Sequence, residues 1–198
     1  MQMPVKLLHS VLMSKVNILY EKLPDYVVLF GEKYPVYTDF KRWIEISLTF
    51  ETEDIKDPKV IAKIIKLCYK EKLPPNHISA LLGAMSFLNR GTDLSVSQTQ
   101  KGEKLYSFCD DASIIYSSFY IRYGIDLLSE EMHWYKFCSL FEALSEDNPF
   151  KAVLKIRTTD EREIKDPKLK KKLQLLKQRY AIKTTGEVDV AKTIEGLF

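Results

Sequence analysis

Three cap-and-proline pairs, Asp57-Pro58, Asn148-Pro149 and Asp166-Pro167, limit the fold of this 198-residue chain more than any other feature. An Asp or Asn side chain suits a helix N-cap. Proline suits the first helical position, where its missing amide hydrogen costs nothing. Each pair therefore predicts a helix start, and each is followed by apolar residues at helical spacing. Only 7 glycines are present, which argues against a β-sandwich or a solenoid built on many tight turns. The expected fold is mainly α, a helical bundle-like domain with a small N-terminal β-hairpin.

The hairpin is "YVVLFGEKYPVY", 26–37. Two β-prone runs flank "GEK", Gly31 supplies a permissive backbone, and Pro35 confines the second run to an edge strand. A lone hairpin is marginal in water, so this one should lie on helices. A short helix after Pro4 is expected to carry Leu8, Leu12 and Val16 on one side. The helix of 38–51, capped by Thr38 or Asp39, is expected to turn Phe40, Trp43, Ile44 and Ser47 inward. That of 57–71 should bury Ile61, Ile64, Ile65 and Cys68. That of 77–91, capped by Asn76 and stopped near Gly91, should bury Ile78, Leu81, Leu82, Met85 and Leu88. The polar stretch 92–104 reads as a mobile loop. The segment of 108–124 should be a helix ended by Gly124, with Ala112, Ile115, Tyr116, Phe119, Tyr120 and Tyr123 on one broad face. Leu169, Leu173, Leu176 and Tyr180 form the apolar stripe of a last helix, 166–181. The expected organisation is an N-terminal extension (1–15), a single helical domain (16–183) and a C-terminal tail (184–198).

The chemistry-bearing stretch is "HWYKFCSLFEALSED", 133–147. Read as a helix capped by Ser129, with Glu130 and Glu131 in its first turn, it turns Trp134, Phe137 and Phe141 into the core. His133 and Cys138 then stand about 140° apart around the axis, too far to hold one ion or form a nucleophile pair. Cys68, Cys109 and Cys138 lack paired spacing, which points to buried free thiols in a reducing cytosol. "CDD" at 109–111 reads as acidic residues favoured at a helix start. No phosphate-loop, dinucleotide, nucleophile-elbow or zinc-protease pattern occurs. No catalytic, cofactor or metal residues are assigned, and an enzyme is the least favoured class. No apolar run reaches ~18 residues, so no membrane span is expected, and the N-terminus lacks a signal-peptide cleavage pattern.

Net charge is only +3, without the excess usual in nucleic-acid binders. The Lys-rich helix keeps three readings: a solvated face, a contact for an anionic protein segment through Lys168, Lys170, Lys171 and Lys172, or phosphate-backbone contact. Ile114 and Ile121, with Ser117 and Ser118 beside them, project from the second side of the 108–124 helix. An element apolar on two sides is read first as central to a bundle, and in the alternative these four are the candidate partner-binding residues.

The segments "LYSFCDDASIIYSSFYIRYGIDL", "HWYKFCSLFEALSED" and the "F" and "IR" that follow resemble the phage family called gene product fifteen. "LPDYVVLFGEKYPVYTDFKRWIE" is similar to that family's opening, and the resemblance spans 16–182. Residues 1–15 precede the family's usual start, so that Met13 becomes a candidate initiator. Cys138 stands where a longer polar or basic residue is expected, and the segment after 183 has no counterpart. The resemblance implies a product of the tail-morphogenesis genes: a non-catalytic assembly chaperone for the tape-measure protein in the host bacterial cytoplasm. Other tail proteins and self-association are further expected contacts. The alternatives are a structural tail component kept in the virion and a nucleic-acid-binding regulator using the lysine helix.

Overall fold

A computed structural model describes residues 16–91 and 105–183. The expected N-terminal extension, the 92–104 loop, the C-terminal tail and the candidate start Met13 lie outside the described residues. Strands β1 (Tyr26–Leu29) and β2 (Glu32–Pro35) lead into helices α1 (Phe40–Thr52), α2 (Pro58–Cys68) and α3 (His77–Leu88). Helices α4 (Ala112–Tyr123), α5 (Trp134–Glu142), α6 (Pro149–Thr158) and α7 (Pro167–Arg179) follow, with a 3-10 turn at Glu161–Glu163. The fold is mainly α with one antiparallel hairpin near the N-terminus.

Each cap-and-proline pair opens a helix. Asp57 accepts from the Lys59 amide, Asn148 from that of Phe150 and Asp166 from that of Lys168. Asp39 and Asn76 cap α1 and α3 in the same way. The hairpin register pairs Leu29 with Glu32, so the loop is Phe30-Gly31 and not the expected "GEK". Phe30 and Gly31 both have positive φ, 54° and 81°, the signature of the primed turns that match strand twist. Residues 16–20 form a turn headed by Asn17, not a helix.

The described residues group into two compact units. One comprises 16–91 and 132–137, the other 105–131 and 138–183. In the first unit the buried sides of the helices differ from those expected. In α1 they are Phe40, Trp43, Ile46, Thr49 and Phe50, while Ile44 and Ser47 are half-buried. In α2 they are Val60, Ile64 and Cys68, while Ile61 and Ile65 are half-buried. In α3 the small residues Ala80, Gly83 and Ala84 go inward together with Phe87 and the expected Leu81, while Ile78, Leu82, Met85 and Leu88 are half-buried.

Gly83 explains the turn of α3. A Cβ there would collide with the Tyr69 hydroxyl and press on Val27 and Leu29 of β1. Only the absent side chain lets α3 lie this close to the hairpin. Tyr69 reaches its place because α2 stops at Cys68, short of 71. The chain then pairs with the strand exit: the Tyr37 amide donates to Cys68 O, and the Lys70 amide donates to Pro35 O. The Tyr69 hydroxyl donates to Ala80 O at 2.8 Å.

In the second unit Tyr106, Phe108, Phe119, Phe141 and Phe150 form a ring cluster, with Phe141 and Phe150 centroids 4.9 Å apart. Gly124 ends α4 in the left-handed conformation, φ 67°.

Candidate functional site

The stretch 133–147 answers to backbone geometry before side-chain chemistry. α5 begins at Trp134, and Ser129 does not cap it. The Ser129 hydroxyl instead bonds Asp126 in a turn, which leaves Glu130 and Glu131 outside the helix. The cap is His133 itself, whose Nδ1 accepts from the Tyr135 amide at 3.0 Å. Its backbone bridges Asp39: the Phe40 amide donates to Met132 O at 2.9 Å and the Trp134 amide to Thr38 O at 2.7 Å.

The second ring nitrogen, Nε2, lies 3.0 Å from Pro24 O. An amide can only donate, so Nδ1 is an acceptor and the proton sits on Nε2, donating to the Pro24 carbonyl. Burial holds the imidazole pKa below its ordinary value, against the opposing pull of the Pro24 carbonyl and the Asp25 charge. Both nitrogens are thus engaged in joining the start of α5 to the entry of the hairpin. Neither is offered to a metal or a nucleophile.

The described residues contain no group of three His, Cys, Asp or Glu side chains able to hold a metal ion. None of the three cysteines is in a disulfide, but only Cys68 is buried as expected: Cys109, in the turn before α4, is exposed and Cys138 is half-buried. Burial pushes the Cys68 thiol far above its ordinary pKa and so keeps it protonated and unreactive.

Trp134, Phe137 and Phe141 are buried. The Trp134 indole donates to Leu88 O at 3.0 Å, and Phe137 stacks on Phe40 with centroids 4.9 Å apart. Within the second unit Phe141 joins the ring cluster already described.

At "CDD" the two aspartates separate. Asp110 accepts from the Lys183 amide at 3.0 Å. Asp111 precedes α4 but makes no side-chain cap bond. Its carboxylate is instead gripped by Arg157 in two parallel bonds, each 2.7 Å. The Ser107 amide donates to the same carboxylate at 3.0 Å. Arg157 also donates to Tyr180 O at 2.7 Å and to Leu105 O at 2.8 Å. The side chains of Asp111 and Arg157 are only 5% and 11% exposed. This four-way tie was not foreseen. Its partners stand 46 residues apart, and the local signal at 109–111 reads equally well as a helix-dipole effect.

The partner candidates on α4 do not form one surface. Ser118 is fully buried: its Oγ accepts from the Phe150 amide at 3.2 Å, and its carbonyl accepts from the Asn148 side-chain amide at 3.4 Å. Ile114 and Ser117 are half-buried, and the Ser117 hydroxyl donates back to Ile114 O. Ile121 is 68% exposed and Tyr120 58% exposed. Tyr120 was expected inside, but the buried side of α4 is narrower, made of Ile115, Ser118 and Phe119.

On α7 only Leu173 of the expected stripe is buried. Leu176 and Tyr180 are half-buried and Leu169 is exposed. Lys168, Lys171 and Lys172 are exposed within about 100° of helix circumference, whereas the half-buried Lys170 lies on another side. Lys177 reaches Glu161 of the 3-10 turn. Among the described residues, no helix is long and apolar enough to cross a membrane.

No curated protein and no solved structure matches this chain. A family model described as Bacteriophage Gp15 protein matches residues 19–182, which cover the hairpin, helices α1 to α7, the His133 cap and the Asp111–Arg157 tie. The chain belongs to the Bacteriophage Gp15 protein family.

Proposed function

We propose that this phage protein is a non-catalytic tail assembly chaperone that binds the tape-measure protein before tail-tube subunits polymerise around it. Family membership over 19–182 carries the reading. The physical case is that a long tape-measure helix presents apolar stripes prone to aggregation. A small helical protein covers such a stripe with apolar side chains of its own. Tyr120 and Ile121 on α4, together with Leu128 in the turn after it, are exposed apolar groups of the required kind. Many weakly bound copies along one chain gain avidity without tight individual sites.

The test is co-expression with the tape-measure protein of the same phage. The tape-measure protein is expected to become soluble and to co-purify, and Ile121→Glu is expected to weaken that capture without unfolding this chain. Unchanged solubility with no complex would overturn the proposal.

A further inference from the structure

In the first unit, Tyr37, Arg42, Lys59, Ala62, Lys63, Lys66 and Leu67 line an open groove of about 570 Å³. We infer that this groove is a docking site for an acidic helix of a protein partner. The inference does not rest on the tail-assembly reading, because the groove is built from first-unit residues and the exposed residues of α4 invoked there belong to the second unit.

The argument starts with spacing. Lys59, Lys63 and Lys66 stand at i, i+4 and i+7 of α2, one row along a single helix face. The row is about 10 Å long at 1.5 Å per residue, the repeat that a second helix offers when its carboxylates recur at i, i+4 and i+7. Arg42, in the first turn of α1, adds a fourth cation from across the groove. Ala62 and Leu67 give the apolar floor on which the partner's aliphatic stems rest.

Charge then selects the partner. Lys63 holds Glu53 at 2.7 Å and meets Glu45 at 3.9 Å. Arg42, Lys59 and Lys66 pair with no carboxylate among the described residues. Four cations less two carboxylates leave an excess of two, suited to a few carboxylates and poorly matched to a run of phosphodiesters. The guanidinium of Arg42, 4.0 Å over the Tyr37 ring, already occupies a face of the groove's one aromatic ring that a stacked base would need.

The experiment uses the full chain and a fluorescent alanine-based helical peptide with Glu at i, i+4 and i+7. Its Gln analogue and a short DNA duplex serve as competing probes, and binding is followed by anisotropy at low and moderate salt. The Glu peptide is expected to bind and to weaken with salt. The Gln peptide and the duplex are expected to bind more weakly. Lys59→Glu with Lys66→Glu, both exposed positions, should lower affinity about tenfold or more while leaving the thermal melt unchanged. Lys168→Glu with Lys172→Glu on α7 should leave affinity as it was. The inference is overturned if the Glu peptide does not bind, if the duplex binds as well, or if the α7 pair removes binding and the α2 pair does not.

Discussion

The first unit joins its parts by close apolar contact and backbone pairing. Trp43 and Phe87 stack with centroids 4.5 Å apart, α3 presents a bare Gly83 to the hairpin, and the His133 backbone pairs with that of Asp39. The second unit also buries rings, but places charges and amides among them. Asp111, Arg157, Asn148 and Ser118 occupy its interior, tied by directed bonds. The two constructions have opposite weaknesses. A close-packed interior resists added volume, because neighbours have nowhere to go. A polar interior resists the loss of one partner, because the group left behind stays desolvated and unsatisfied.

The sharpest test of this contrast falls on the second unit. Arg157→Leu keeps side-chain bulk but strands the Asp111 carboxylate, so it is expected to cost about 3–5 kcal/mol in urea unfolding. Amide exchange should quicken in α4 and α6, which the tie connects. Adding Asp111→Asn to Arg157→Leu should recover part of the loss, since the buried charge is then gone. An Arg157→Leu cost below about 1 kcal/mol would place the pair with ordinary surface salt bridges and end the comparison.

On the first unit the matching test adds a single methyl. Gly83→Ala gains up to about 1 kcal/mol of helix propensity. Against that, the new Cβ must displace the Tyr69 hydroxyl from its bond to Ala80 O and press on Val27 and Leu29. Overpacking of this kind costs about 1–3 kcal/mol, so a net destabilisation of up to about 2 kcal/mol is expected. Tyr69→Phe in the same background removes the colliding atom. The double variant should therefore be more stable than the sum of the two single effects, read from urea midpoints. Strict additivity would mean that the hydroxyl does not set the approach of α3.

The same contrast separates what the sequence announces from what it hides. Asp57-Pro58, Asn148-Pro149 and Asp166-Pro167 announce helix starts because a cap acts on amides two or three residues away. Gly124 marks the end of α4 for a similarly local reason. The inward faces of α1, α2 and α3 were harder to read. On α3, periodicity favours the large residues Ile78, Leu82 and Met85, while the hairpin accepts only the small side around Gly83. Hydrophobic patterning does not encode that demand for close approach. The tie between Asp111 and Arg157 spans 46 residues, so nothing local at either end identifies the other. At His133 the cap on the Tyr135 amide is local, but the Pro24 carbonyl that engages the other ring nitrogen lies 109 residues away and only the fold brings it there. Ile121 falls on the outward side of α4 as the wheel places it. Ser118, three residues earlier, is claimed by the start of α6, and no helical wheel of α4 alone contains that information.

The smallest expected effect concerns His133, where the first unit carries a polar tie of its own. Its folded-state pKa is lowered, chiefly by burial, so the native state favours the neutral ring more than the unfolded chain does. The stability contributed is then present above the unfolded pKa of about 6.5 and lost as pH falls through the lower folded value. Protonation also places a hydrogen on Nδ1, which faces the donating Tyr135 amide and breaks the cap. The urea midpoint should therefore fall between about pH 7.5 and pH 5.5. His133→Asn keeps a side-chain acceptor at the cap position but carries no titrating ring. That variant is expected to start from a slightly lower midpoint, having lost the reach to Pro24 O, and to show a flatter slope over the same interval. Subtracting the two profiles removes the contribution of the other histidines. A slope equal to that of the parent protein would show that the imidazole titrates alike in the folded and unfolded chains, and His133 would then be a cap by shape alone.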